Sequence, residues 1–141
     1  MPISFAETPE QLKSCYPALK ELRPHLNEKD YLSIMQTMMQ EGVKVVMLED
    51  NGQVSTVACF RIAHYLFRGK NLYIDDLVTL PGNRGKGYGG KMLDWVKEYA
   101  LSQNCDTIHL DSEPTRHDAH RLYLNKGFVI SSYHFSMNLK K

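Results

Sequence analysis

The spacing of apolar residues changes along the chain, and each change marks a short element. Ile3-Ser4-Phe5 alternates as a first strand. Thr8-Pro9-Glu10-Gln11 supplies an N-cap, a proline at the first helical position and a capping-box partner, which predicts a helix running to about Leu22 and stopping before Pro24. Asn27 with Asp30 caps a second helix, on which Tyr31, Ile34 or Met35, Met38 and Met39 fall at helical spacing. Residues 44–49 and 54–67 read as strands joined by Asp50-Asn51-Gly52, a hairpin signal. Arg68-Gly69-Lys70-Asn71 turns the chain into a third strand, residues 72–80. Its near-continuous apolar character, broken only by Asp75 and Asp76, predicts a central strand covered on both faces. Alternation along such a strand sends the two carboxylates to opposite faces.

A glycine-rich loop follows and opens a helix with Met92, Trp95 or Val96, Tyr99 and Ala100 on one side. Residues 107–111 form the next strand, Thr115 with Asp118 reads as another capping box, and Gly127 closes that helix in a left-handed cap. Residues 128–130 and 133–139 end the chain as strands. The order is one strand, two helices, three strands, a helix, a strand, a helix and two strands, a mixed α/β arrangement in a single domain spanning residues 1–141.

Composition narrows the function. Seventeen basic against sixteen acidic residues leave a formal charge of +1, so no global field draws the chain to nucleic acid, although a local basic spot can still hold a phosphate. The first ten residues lack the basic and apolar regions of a signal peptide. The longest apolar-leaning run, residues 54–67, is interrupted by Arg61 and His64 and is too short and polar to span a bilayer. Cys15, Cys59 and Cys105 are widely spaced with no CxxC pair, which fits reduced thiols and a cytoplasmic location.

Arg84-Gly85-Lys86-Gly87-Tyr88-Gly89-Gly90 lies between a strand and the helix after it. Its glycines leave backbone N–H groups open to an anion at the positive end of the helix dipole, and Arg84 and Lys86 add formal charge. Three phosphate ligands suit such a loop. Gly85 to Lys91 has the GxxxxGK spacing of a P-loop, but Met92 follows where magnesium needs Ser or Thr. Gly85, Gly87 and Gly90 satisfy GxGxxG, yet Pro81-Gly82-Asn83-Arg84 intervenes after the strand and only about fifty residues remain for a doubly wound sheet. The third ligand is coenzyme A. Arg84-x-x-Gly87-x-Gly89 resembles the coenzyme A pyrophosphate loop of the GNAT superfamily of N-acetyltransferases. Ala119-His120-Arg121-Leu122-Tyr123-Leu124-Asn125-Lys126-Gly127-Phe128 is similar to that family's A-x-x-L-Y-x-x-x-G-F segment. The element order matches along nearly the whole chain, whereas the first fifty residues carry no motif of their own.

The resemblance implies a GNAT-like α/β (mixed α+β) fold, a mixed, mostly antiparallel sheet of about six or seven strands flanked by about four helices. It implies acetyl-CoA as co-substrate, no metal, and transfer of the acetyl group to a primary amine by direct attack in a ternary complex. The backbone of Leu77, Val78 and Thr79 would bond the pantetheine arm, where the family splays its central strand at a bulge. The N–H groups of Gly85, Lys86, Gly87, Tyr88, Gly89 and Gly90 would hold the pyrophosphate. Arg84 would order the loop or touch the ligand, and Lys86 is equally read as a solvated surface charge.

Tyr123 takes the position of the family's tyrosine facing the coenzyme A sulfur. A leaving thiolate has a conjugate acid near ~8.5 and a phenol titrates near ~10, so a donor suits that place; the competing reading is a core tyrosine. An alkylamine near ~10 must lose a proton before it attacks, which calls for a carboxylate or a water chain. Ile74-Asp75-Asp76-Leu77 is similar to the I-E-D-I stretch of the glucosamine-6-phosphate branch, which selects Asp75 as base or amine ligand. Asp76 is either a structural partner of loop N–H groups or part of the acceptor site, and Asp111 and Glu113 are further acidic positions for a cationic amine. Arg116 stands where many members carry an asparagine seven residues before the tyrosine, so that cofactor contact is not carried over, and Arg116 is open to a phosphate or an acidic substrate instead. His117 and His120 lie three apart with no matching ligand pair, which favours surface histidines over zinc.

The expected partners are therefore acetyl-CoA and a small amine or a peptide amine, with no nucleic acid and no membrane, and a homodimer stays open as the assembly. The competing function is a non-catalytic sensor of coenzyme A or acyl-CoA. Residues 9–42 fall in the family's variable region, so the acceptor is not legible in the sequence.

Overall fold

Thr8 and Gln11 form the reciprocal pair that their spacing predicts. The Thr8 hydroxyl accepts from the Gln11 N–H while the Gln11 side chain accepts from the Thr8 N–H, so α1 (Pro9–Leu22) begins with two otherwise orphan donors satisfied. Asn27 caps α2 (Glu28–Gln40) by accepting from the Lys29 N–H. In the computed structural model, which describes residues 2–140, the chain divides after Leu110 into two compact units.

The first unit holds a five-stranded sheet in the order β1-β2-β3-β4-β5, made of Ile3–Phe5, Lys44–Asp50, Gln53–Tyr65, Gly69–Thr79 and Thr107–Leu110. The first four strands pair antiparallel, and β5 runs parallel to β4. Asn51 and Gly52 turn β2 into β3 at φ 54° and 76°, the positive values a tight hairpin demands. The next turn is tighter than the sequence predicts. It takes Leu66 to Arg68, and Gly69 already pairs with Tyr65. One sheet face is packed by Leu12, Cys15 and Leu19 of α1 and Tyr31 and Met35 of α2 against Val45, Met47, Val57, Cys59 and Val78. On the other lies α3 (Tyr88–Ser102), whose Trp95 and Tyr99 meet Phe5, with Tyr99 also on Phe60. Coverage on both faces explains the near-continuous burial of β3 and confirms the expected character of β4.

The second unit contains α4 (His117–Asn125). Gly127, at φ 97°, ends it: the Phe128 N–H donates to the Tyr123 carbonyl, the Gly127 N–H donates to the Leu124 carbonyl, and the Phe128 ring packs on Tyr123. This is a complete Schellman closure, so the spacing Tyr-x-x-x-Gly-Phe has a local physical cause. Two expectations fail here. The Thr115–Asp118 capping box does not form, because the His117 N–H takes the Thr115 carbonyl and Arg116 becomes an N-cap without a side-chain bond. The Asp118 carboxylate instead accepts from Arg121. Residues 128–140 form no strand, leaving five strands among the described residues instead of six or seven. Alternation decides which residues share a face but supplies no neighbour for a ladder, and Tyr133, Phe135, Met137 and Leu139 stay exposed.

Candidate active site

The passage from β4 to α3 is tied down at several points. The Leu80 N–H donates to the Ser55 carbonyl (2.8 Å), Asn83 Nδ2 to Ser55 Oγ (2.9 Å), and the Thr56 and Thr79 hydroxyls are bonded at 2.9 Å. Ser55 and Thr56 are fully buried, so these bonds anchor the turn at Pro81–Asn83 to the sheet. Arg84 Nε donates to the Thr79 carbonyl at 3.3 Å, so its guanidinium braces the loop. Tyr88 opens α3 with its hydroxyl donated to the Asp50 carboxylate, and Lys86 Nζ lies 4.0 Å from the same carboxylate. Between these fixed points none of the six N–H groups from Gly85 to Gly90 donates to a described residue, and the first bond of the helix runs from the Lys91 N–H to the Gly87 carbonyl. Six free donors at a helix N-terminus, beside Arg84 and Lys86, suit two linked phosphates.

The strand leading into this loop has an open side. β5 pairs with β4 only from Asn71 to Ile74, while β4 continues to Thr79. From Asp75 onward β4 has β3 as its only described ladder neighbour. The opening begins at a bulge, since Cys59 faces Asp76 and Phe60 faces Ile74, which leaves Asp75 as the extra residue.

That bulge also corrects the expectation that Asp75 and Asp76 point to opposite faces. Asp76 pairs across the ladder with Cys59, which belongs to the face covered by α1, and its carboxylate accepts from Arg23 Nε at the C-cap of α1 (2.9 Å). Arg23 also donates to the Asp75 carbonyl (3.1 Å), and the Asp75 carboxylate accepts from Arg61 Nε (3.1 Å), two residues beyond Cys59 on β3. The extra residue cancels one step of alternation, so both carboxylates meet arginines that reach the same face. Burial pushes the Asp75 carboxyl above its ordinary value; the Arg61 hydrogen bond and charge oppose this, and the Asp76 charge adds to it. Burial likewise raises the thiols, Cys15 to about 12, and all three cysteines are free.

In the second unit Tyr123 is largely buried. Burial raises its phenol above the ordinary value, against the lowering effect of the Arg116 charge and a hydrogen bond from Arg116. The residue that replaces the family's asparagine is therefore a partner of the tyrosine, a link the sequence did not suggest. Asp111 and Glu113 are exposed. Asp111 lies 3.5 Å from His134, and Glu113 offers its carbonyl, not its carboxylate, to His120 Nε2. Arg23 and Arg61 were also missed: the first reads as a helix end before Pro24, the second as an interruption of an apolar run. Among the described residues no three His, Cys, Asp or Glu side chains could hold a metal ion, and no helix is long and apolar enough to cross a membrane.

Comparison with known proteins makes the family of this mixed-sheet fold explicit. Residues 7–128 match the Acetyltransferase (GNAT) family, and the chain belongs to it. It is an acyltransferase of the kind that uses acetyl-CoA. It is 34% identical over 128 residues to the uncharacterized N-acetyltransferase YhdJ of Bacillus subtilis, covering 89% of this chain and 90% of that one. It is 28% identical over 137 residues to the aminoalkylphosphonate N-acetyltransferase of Salmonella typhimurium, covering 94% and 88%. Among solved structures, AAC(6')-Iy in complex with the bisubstrate analog CoA-S-monomethyl-acetylneamine superposes with a TM-score of 0.84 at 15% identity, over 99% of this chain and 98% of that one. This last likeness shows the fold.

Proposed function

We propose that the whole chain acts as one N-acetyltransferase domain that moves an acetyl group from acetyl-CoA to a primary amine by direct attack in a ternary complex. One observation carries this reading: the open side of β4 from Asp75 to Thr79 runs straight into six unbonded N–H groups at the start of α3. Backbone groups of Leu77, Val78 and Thr79 bond the pantetheine arm as a substitute strand, and Gly85 through Gly90 hold the pyrophosphate in a loop braced by Arg84. Acetyl-CoA supplies the acetyl thioester. Asp75 accepts the proton of the incoming ammonium at its carboxylate, and its upward shift makes it a better base than a solvated aspartate. Tyr123, kept protonated by burial, holds a proton at Oη for the departing thiolate. The family match extends from Glu7 to Phe128, across both units, in support of a single domain. The Salmonella relative's name gives an acceptor with an amine on an alkyl chain, in keeping with this chemistry.

The test is thiol release from acetyl-CoA with amines of several classes, without magnesium. Amine-dependent release is the expected result; tight coenzyme A binding with no release for any amine returns the chain to a sensor. Tyr123→Phe is expected to lower kcat ten- to thousand-fold, about 1.4 to 4 kcal/mol, with a smaller change in cofactor affinity, since the proton matters as thiolate develops. Unchanged kcat with chemistry rate-limiting makes Tyr123 a packing residue.

A further inference from the structure

We propose that the acceptor is a primary amine carrying an anionic group, a carboxylate or a phosphonate, a few bonds from its nitrogen, and that Arg61 and Arg23 recognise that group. The proposal rests on the transfer reading above and names its acceptor. Arg61 uses only Nε on Asp75, and its two terminal nitrogens bond no described residue. Arg23 uses Nε on Asp76 and one terminal nitrogen on the Asp75 carbonyl, which leaves the other terminal nitrogen without a described partner. Both side chains reach solvent, with 37% and 44% of their surface exposed, whereas the two aspartates are mostly covered. The carboxylates therefore hold two guanidinium planes at the mouth of the cluster with donors to spare. Preoriented forks of this kind bind an oxyanion at little ordering cost. Charge balance selects the same acceptor. A pocket for a polyamine or other polycation needs an excess of negative charge, but here two arginines cancel two aspartates. An amine with an anionic tail satisfies both signs, its ammonium toward Asp75 and its tail toward the free arginine nitrogens. The cluster sits at the bulge where the open side of β4 begins, next to the stretch assigned to the pantetheine arm.

The experiment compares acceptors of similar length in the thiol-release assay with the purified protein: β-alanine and aminoethylphosphonate against propylamine, ethanolamine and ethylenediamine. At least one anionic amine is expected to exceed the neutral-tailed and dicationic amines about tenfold or more in kcat/KM, and the two anionic arms separate carboxylate from phosphonate. Arg61→Gln and Arg23→Gln are expected to raise KM for the anionic amines about tenfold with a smaller change in kcat, and Arg61→Lys to recover part of the loss. Preference for ethylenediamine or propylamine overturns this inference and leaves acetyl transfer standing. So does an unchanged KM for anionic amines in both glutamine variants. No thiol release with any of these, nor with an aminoglycoside or a lysine peptide, overturns it together with the transfer reading. The wild-type preference decides the matter even where a variant proves unstable in a thermal melt.

Discussion

Gly87→Asp is expected to abolish acetyl-CoA binding at concentrations that saturate the wild type, a loss of at least about a hundredfold in affinity, or ~2.7 kcal/mol. Gly87 is the N-cap of α3 at φ 80°, in the left-handed region. A Cβ built there meets nothing within 4 Å, so the protein itself has room for a side chain. The glycine answers two other demands, a backbone conformation that costs an L-residue about 1–2 kcal/mol and a surface that must admit phosphate to bare N–H groups. Gly87→Ala isolates the first demand: it should lower the melting temperature while leaving measurable binding. Gly87→Asp adds a carboxylate where two phosphates belong, so its extra loss of affinity reports charge against charge. Gly89→Asp, one residue into the helix, is expected to behave alike. Titration calorimetry with coenzyme A, with and without magnesium, gives the readout. Normal binding by either aspartate variant, or a requirement for magnesium, shows that the pyrophosphate lies elsewhere.

What the sequence made legible follows from the range of the forces involved. The phosphate loop could be read because its determinants are local: glycines, two cations and a helix start fall within seven residues. The Tyr123–Gly127–Phe128 spacing could be read for the same reason, since a helix closure uses only its own last turn. The caps of α1 and α2 and the Asn51-Gly52 hairpin are equally local. What stayed hidden depends on pairing across space. A one-residue offset between β3 and β4 has no signature in β4 alone, yet it brings Asp75 and Asp76 to arginines on one face. Arg23 lies about fifty residues from its carboxylate partner and reads as an ordinary helix end until the sheet is assembled. The Thr115 cap misled because a matching pair of residue types does not fix which carbonyl the chain turns on. The alternation after Phe128 misled because a strand is a property of two segments, and only one of them is visible in a pattern.

Asp75→Asn is expected to lower kcat/KM for the amine about a hundredfold or more while the protein stays folded, the scale on which a positioned base contributes. The amide keeps the shape and can still accept from Arg61 Nε, but it takes no proton. The wild-type rate should rise with pH through the Asp75 titration, which lies above the ordinary 3.8, because only the carboxylate accepts a proton; in the variant that acidic limb should flatten. Stability supplies an independent reading with a definite sign. A carboxyl raised by folding binds its proton more tightly in the native than in the unfolded chain. Its favourable contribution is thus complete below 3.8 and is lost as pH climbs through the folded value. Melts from acid toward neutral pH should therefore show the wild type losing stability relative to Asp75→Asn across that window. Asp76→Asn is the informative partner. Its carboxylate is the ionic partner of Arg23, so loss of its charge should loosen the end of α1 against the sheet and lower the melting temperature. Since both carboxylates lie on one face, pointing direction cannot separate their roles; the pH profile can. A retained acidic limb in Asp75→Asn, together with its disappearance in a fully stable Asp76→Asn, moves the base by one residue along the bulge.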